Sequence, residues 1–282
     1  MKRFKLGSAV LTLLFLLGLG PVQKLSHFED KRSLQKEEEL WVKVHFNQGD
    51  FSLRAGEKGE VYSLELDYDQ RTVSKMINYR TEGKRGILEV EVKGRKGLRL
   101  RRKEKSYLCI EVNPGLPISL DLSLGASEAT VDLSGLRIAD LKLDVGAGDV
   151  DVYFDQPNPE PLRRMQIEAG VSELKTHSLG NANCQYLLFE GGMGDFLLDF
   201  RGNWQKDARA EIEMGIGSLD VKLPRDLGVK LIFDKSFLCS LNVDSFIKDG
   251  NQYTSENYKQ ARHHLTLKVE AGIGDINIEW IE

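Results

Sequence analysis

The chain has 282 residues, 41% of them hydrophobic and 29% charged, with a formal net charge of −4, which leaves enough apolar content for a packed core. An acidic balance makes nucleic acid a poor electrostatic partner and excludes it as an expectation. Cys109, Cys184 and Cys239 lie far apart in sequence, so neither a metal-ligand spacing nor a disulfide framework is visible. They read as buried thiols packing like small hydrophobes, with one bridge plus one free thiol as the other reading.

Residues 1–20 begin with Lys2, Arg3 and Lys5 and continue as an apolar run from Leu6 to Leu19. That run is short for a membrane span and suits a secretory signal, so the expected location is extracytoplasmic: periplasmic, secreted or membrane-anchored. Gly18 and Gly20 favour cleavage and Pro21 opposes it, so a removed signal and a retained N-terminal membrane anchor both stay open. Removal of the three basic residues takes the charge from −4 to −7. Residues 21–39 are charged and weakly periodic, the pattern of a spacer.

From Leu40 the pattern is that of β-strands. Leu40, Val42, Val44 and Phe46 alternate with polar or exposed-type residues, and NQGDFSL (Asn47 to Leu53) brings a glycine and an acid into the same run. Further alternating runs at Val61 to Tyr68 and Ile87 to Val92 complete an N-terminal β-module over 40–105, expected to cap the C-terminal part of the chain. Its last segment, KGRKGLRLRRKEK (Lys93 to Lys105), holds eight basic residues and one Glu. Arg95, Lys96, Arg99, Arg101, Arg102 and Lys103 would form a cationic stripe for an anionic envelope polymer or lipid headgroup; a solvated strand face is the plainer alternative.

Residues 106–282 repeat. Glycine-centred motifs recur at Gly125, Gly146, Gly170, Gly192, Gly215 and Gly272, at intervals of 21, 24, 22, 23 and 57 residues. A period near 22 is the mark of stacked repeats. Apolar residues stand three and five before each glycine and four and six after it, with Thr176 the polar exception, so two strand segments share an inward face across a glycine turn. The expectation is an all-β solenoid of about 22-residue rungs. The glycines are its structural corners. Phe237 to Val243 is expected as a glycine-less rung, and residues 245–262 as an excursion with a short helix after Ser255.

Three blocks resemble the bacterial toast-rack domains, related to the extracytoplasmic part of LiaF-like proteins and to adhesin-type β-helix domains. They are FNQGDFSLRAGEKGEVYSLELDY with the succeeding ILEVEV, PISLDLSLGASEATVDLSGLRIADLKLDVGAGDVDV, and YKQARHHLTLKVEAGIGDINI. The resemblance implies a right-handed, single-stranded β-helix-like fold at the cell envelope, an envelope-stress type of role and no catalytic residues. LiaF-like proteins carry several N-terminal membrane spans, whereas this chain has one short apolar segment.

Two acidic columns are expected beside the turn, one including Asp144, Glu168, Glu190 and Glu213, the other Asp149 and Asp195. Stacked in register they would repeat at about 5 Å, as a linear cation site or as solvated turn caps. No cofactor is indicated, and no Ser, Cys or His stands where a nucleophile and base would be recognised. The chain is therefore read as a non-enzymatic binding, scaffold or sensor module with a protein or envelope polymer as partner. A polysaccharide-active or carbohydrate-binding β-helix, or a surface adhesin, is the alternative.

Overall fold

The computed structural model describes residues 25–95, 105–235 and 238–281. Among them a single open sheet of 16 strands carries almost all regular structure. The strands are β1 (Ser26–Ser33), β2 (Glu39–Ala55), β3 (Glu60–Tyr68), β4 (Val73–Glu82), β5 (Arg85–Gly94), β6 (Ser106–Val112), β7 (Pro117–Asp132) and β8 (Arg137–Tyr153). They continue as β9 (Met165–His177), β10 (Tyr186–Asp199), β11 (Ala208–Pro224), β12 (Gly228–Lys235), β13 (Cys239–Val243), β14 (Phe246–Asp249), β15 (Gln252–Ser255) and β16 (His264–Ile281).

Seven long strands form the centre, parallel and in the order β2, β7, β8, β9, β10, β11, β16. In β8 the side chains of Leu141, Leu143 and Val145 are buried, and then those of Val150 and Val152. The two-residue alternation slips across Gly146–Asp149, so both halves of the strand aim at one core. Register turns these positions into columns. Leu122, Leu143, Ile167, Phe189, Ile212 and Val269 pair in series, and each has no exposed surface. Phe189 also meets Phe196 edge-on, with centroids 5.1 Å apart. No single strand could bury these faces alone; the columns form only when neighbours stack.

The two ends are built alike, except that β13 has no covering strand among the described residues. At the N-terminal end, β5 pairs with the first half of β2 and β6 with the second. Strands β4 and β3 then cover β5 and β6 in antiparallel fashion, and β1 covers β3. At the other end β12 and β13 pair with the two halves of β16, β15 covers β12 and β14 covers β15. Antiparallel covering shields sheet edges that would otherwise template aggregation.

The 57-residue interval is explained by insertion: β16, last in the chain, lies between β11 and β12. The glycine-less run expected at Phe237 to Val243 supplies β13, which with β12 makes the outer layer on β16. Three expectations differ from the structure. Ser26–Ser33, inside the expected spacer, is an antiparallel strand on β3; its pattern is weak because an edge strand needs little apolar surface, and only Phe28 packs against the core. Residues 256–260 form turns where a helix was expected, because the Asn257 side chain donates to the carbonyls of Arg225 and Leu227 (both 3.0 Å). The boundary expected at 105/106 falls between β5 and β6, which are the two halves of one layer.

Away from the glycine corner, the connections are held by buried asparagines. Asn158 accepts from the backbone N–H of Ile138 and Glu160 (both 3.1 Å) and donates to the carbonyls of Ile138 (2.8 Å) and Ala182 (3.0 Å). Asn181 and Asn183 repeat this device in the next layer, reaching the carbonyls of Phe154 and Glu160. Most buried polar groups are satisfied in this way, although the Asn183 Oδ1 is buried with no hydrogen-bond partner among the described residues.

Candidate binding surface along the glycine corner

The slip in each central strand brings four outward rows to one long edge. The first is acidic: Asp144, Glu168, Glu190, Glu213, Glu270 and Asp234 pair successively across strands. Next come the central glycines, Gly125, Gly146, Gly170, Gly192, Gly215 and Gly272, so closely stacked that a Cβ on Gly146 would press on the Gly125 carbonyl oxygen at 2.6 Å. One residue further is an apolar row of Ala147, Val171, Met193, Ile216 and Ile273. Beyond it a second acidic row runs Asp50, Glu128, Asp149, Glu173, Asp195, then Ser218 and Asp275.

The expected acidic columns are therefore brought into register, as lines rather than as a cluster. Among the described residues no three acidic, His or Cys side chains converge as a metal site would require. Local cations relieve part of the repulsion. Lys142 bonds Asp144 at 3.1 Å, Lys175 bonds Glu173 at 2.5 Å, and Lys268 bonds Glu270. Lys105 bridges Asp50 (3.2 Å) and Glu128 (2.6 Å). In each case hydrogen bonding to the carboxylate holds the ammonium pKa above its ordinary value. Ser218 donates to Asp195 at 2.5 Å, and Ser240 to Asp275. Glu190 and Glu213 have no hydrogen-bond or ion-pair partner among the described residues.

A groove of about 520 Å³ opens at that unneutralised place, with Glu190, Glu213, Glu270 and Asp234 along it and glycine backbone as its floor. The apolar row beside it is a feature that motif reading passes over. Val171, Met193, Ile216 and Ile273 are 60%, 50%, 44% and 46% exposed. The signal stands one residue after each glycine, but its importance depends on register and exposure. Of the basic residues expected to form a stripe, Arg95 is exposed yet directs its Nε to the Val73 carbonyl at 3.3 Å. Lys96, Arg99, Arg101, Arg102 and Lys103 lie outside the described residues, as does the N-terminal segment 1–20.

A second groove, of about 530 Å³, lies on the outer face where β2 meets β5 and β7, with Trp41, Lys43, Arg80, Glu89, Asp121 and Asp140 around it. Trp41 is 45% exposed and carries the Arg85 guanidinium 4.2 Å from its ring centroid. None of the three cysteines forms a disulfide: Cys109 and Cys239 are buried, and burial pushes the Cys184 thiol up to about 11. An inert thiol of that kind is no nucleophile at neutral pH.

The family model that fits this architecture is the N-terminal domain of toast_rack, DUF2154, which matches residues 22–177 and 158–222. The chain belongs to the toast-rack family. Among solved structures it is similar to a candidate cell adhesion protein from Clostridium sporogenes ATCC 15579, at 21% identity and a TM-score of 0.49, covering 92% of this chain and 100% of that one. A candidate adhesin from Bacteroides fragilis NCTC 9343 shares 12% identity with a TM-score of 0.42, over 90% and 97% of the two chains. Another, from Parabacteroides distasonis ATCC 8503, shares 10% identity with a TM-score of 0.33, again over 90% and 97%. No curated protein matches the chain. Among the described residues of this toast-rack protein, no helix is long and apolar enough to cross a membrane.

Proposed function

We propose that this toast-rack protein is a non-enzymatic, extracytoplasmic binding or scaffold module. In this reading it is an exported right-handed solenoid of about 22-residue rungs that presents its glycine corner to a partner at the cell envelope. The observation that carries it is the corner itself, where charged and apolar rows repeat across consecutive layers. A repeated surface suits an extended partner, because each layer adds the same increment of contact. The basic N-terminal segment with its apolar run supports export. The test is cell fractionation with external protease: an extracytoplasmic module is recovered from the medium, the cell surface or the periplasmic fraction and is digested without lysis of the cytoplasmic membrane, and recovery of the intact chain with cytoplasmic markers overturns the reading.

A carbohydrate-binding role has one observation in its favour, the Trp41 groove, where an exposed indole and hydrogen-bonding charged groups share one cavity. Binding of a glycan at that groove, and not at the corner, would move the functional surface to the outer face of β2.

A further inference from the structure

The partner's chemistry can be drawn from the corner rows. Resting on the reading of the chain as a binding module, we propose that the edge from β9 to β16 docks a basic amphipathic helix of another protein. The helix lays its apolar stripe on Val171, Met193, Ile216 and Ile273 and its flanking lysines or arginines along the two acidic rows.

Four observations lead to this occupant. A continuous row of large, exposed apolar side chains is unusual on a soluble surface and marks an interaction site. That row has carboxylates on both sides, Glu190, Glu213 and Glu270 on one and Glu173, Asp195 and Asp275 on the other, so the partner needs an apolar centre with basic margins. An α-helix meets that demand with one face, an apolar stripe at every third or fourth residue and cations on either side. A strand shows only one line of side chains to a surface, and cannot supply both margins with an apolar line between them.

Spacing favours the helix as well. The rows step by about 4.8 Å from strand to strand, close to the 5.4 Å rise of one helical turn, whereas same-face residues of an extended strand lie about 6.6 Å apart. Three such steps from Val171 to Ile273 cover about 14 Å, the length of about ten helical residues. Finally, the groove of about 520 Å³ beside the ridge is floored by glycine backbone and holds Glu190 and Glu213, which have no cationic partner among the described residues. A lysine or arginine entering there would pair with carboxylates that the fold leaves unneutralised. The same negative rows repel an anionic lipid surface.

The test is titration of the purified chain with a labelled synthetic peptide of about 14 residues, four helical turns, bearing leucines along one stripe and lysines on both sides. The expected result is saturable binding, a gain of helical circular dichroism and an association rate that falls with salt. Glu190→Gln with Glu213→Gln should weaken it roughly tenfold, and so should Met193→Ser with Ile216→Ser. All four side chains point outward, so unchanged melting temperatures verify that the variants fold. The proposal is overturned by absence of binding, by undiminished affinity in either double variant, or by equal affinity for a peptide whose leucines are replaced with serine. It is likewise overturned by concentration-dependent dimers that the Met193→Ser, Ile216→Ser variant abolishes, which would assign the ridge to a second copy of this chain. These outcomes are independent of cell fractionation, so a failed helix site and a failed extracytoplasmic reading are told apart.

Discussion

At the scale of single residues, the corner depends on backbone approach more than on turning. Gly217 combines both demands: its φ is +140°, and a Cβ there would collide with the Gly194 carbonyl oxygen in the layer beneath. Gly217→Ala should therefore destabilise the fold by about 2–4 kcal/mol, since it adds a backbone clash to a strained conformation. Urea unfolding measures this, with Ile216→Ser as the neighbour that should change stability by less than about 0.5 kcal/mol because its side chain is outside. His27 sets a second residue-scale expectation. Its ring lies 2.7 Å from Glu29 and 2.8 Å from Asp67, and these hydrogen bonds raise its pKa to about 8. Folding favours the protonated ring, so the pairing contributes fully below the unfolded value of about 6.5 and is lost as pH rises through about 8. Nuclear magnetic resonance titration of His27 should give that midpoint, and amides of β1 should exchange faster above it by more than the intrinsic pH effect. His27→Gln should remove this excess; an unaltered pH response would assign it elsewhere.

Among elements, the connection side opposite the glycine corner depends on asparagine. Asn158 is 1% exposed and makes four hydrogen bonds to backbone groups from three segments. Asn158→Ala should cost about 2–4 kcal/mol, because the freed backbone groups remain buried without partners. Thermal unfolding reads the loss, and a shift no larger than that of an exposed substitution would show that water replaces the side chain. Strands β7 to β11 are legible in the sequence because each repeats apolar residues at fixed distances from a glycine. Strand β1 is not, since only Phe28 on it packs against the core. The turns at 256–260 carry a helical pattern because local propensity cannot register the Asn257 side chain tying them to residues 225–227.

For the molecule as a whole, the structure joins what chain order separates. Strand β16 enters between β11 and β12, and β2 joins β7 in the same parallel ladder after an excursion of some 60 residues, Gly56 to Leu116, that builds the N-terminal end. Such pairings are set by which apolar faces remain uncovered after local strands form, and long-range register carries no mark in nearby sequence. The acidic columns are visible as a repeating set of residues, but their opposition across an exposed apolar ridge is not. Sequence alone determined the inward columns, the glycine corners and the acidic decoration, because strand periodicity and the intolerance of a Cβ at close backbone contacts act locally. Only the tertiary structure decided the place of β16, the covering of both sheet ends and the exposure of Val171, Met193, Ile216 and Ile273. Those depend on stacking, in which each strand's outward face is defined by the neighbours it acquires.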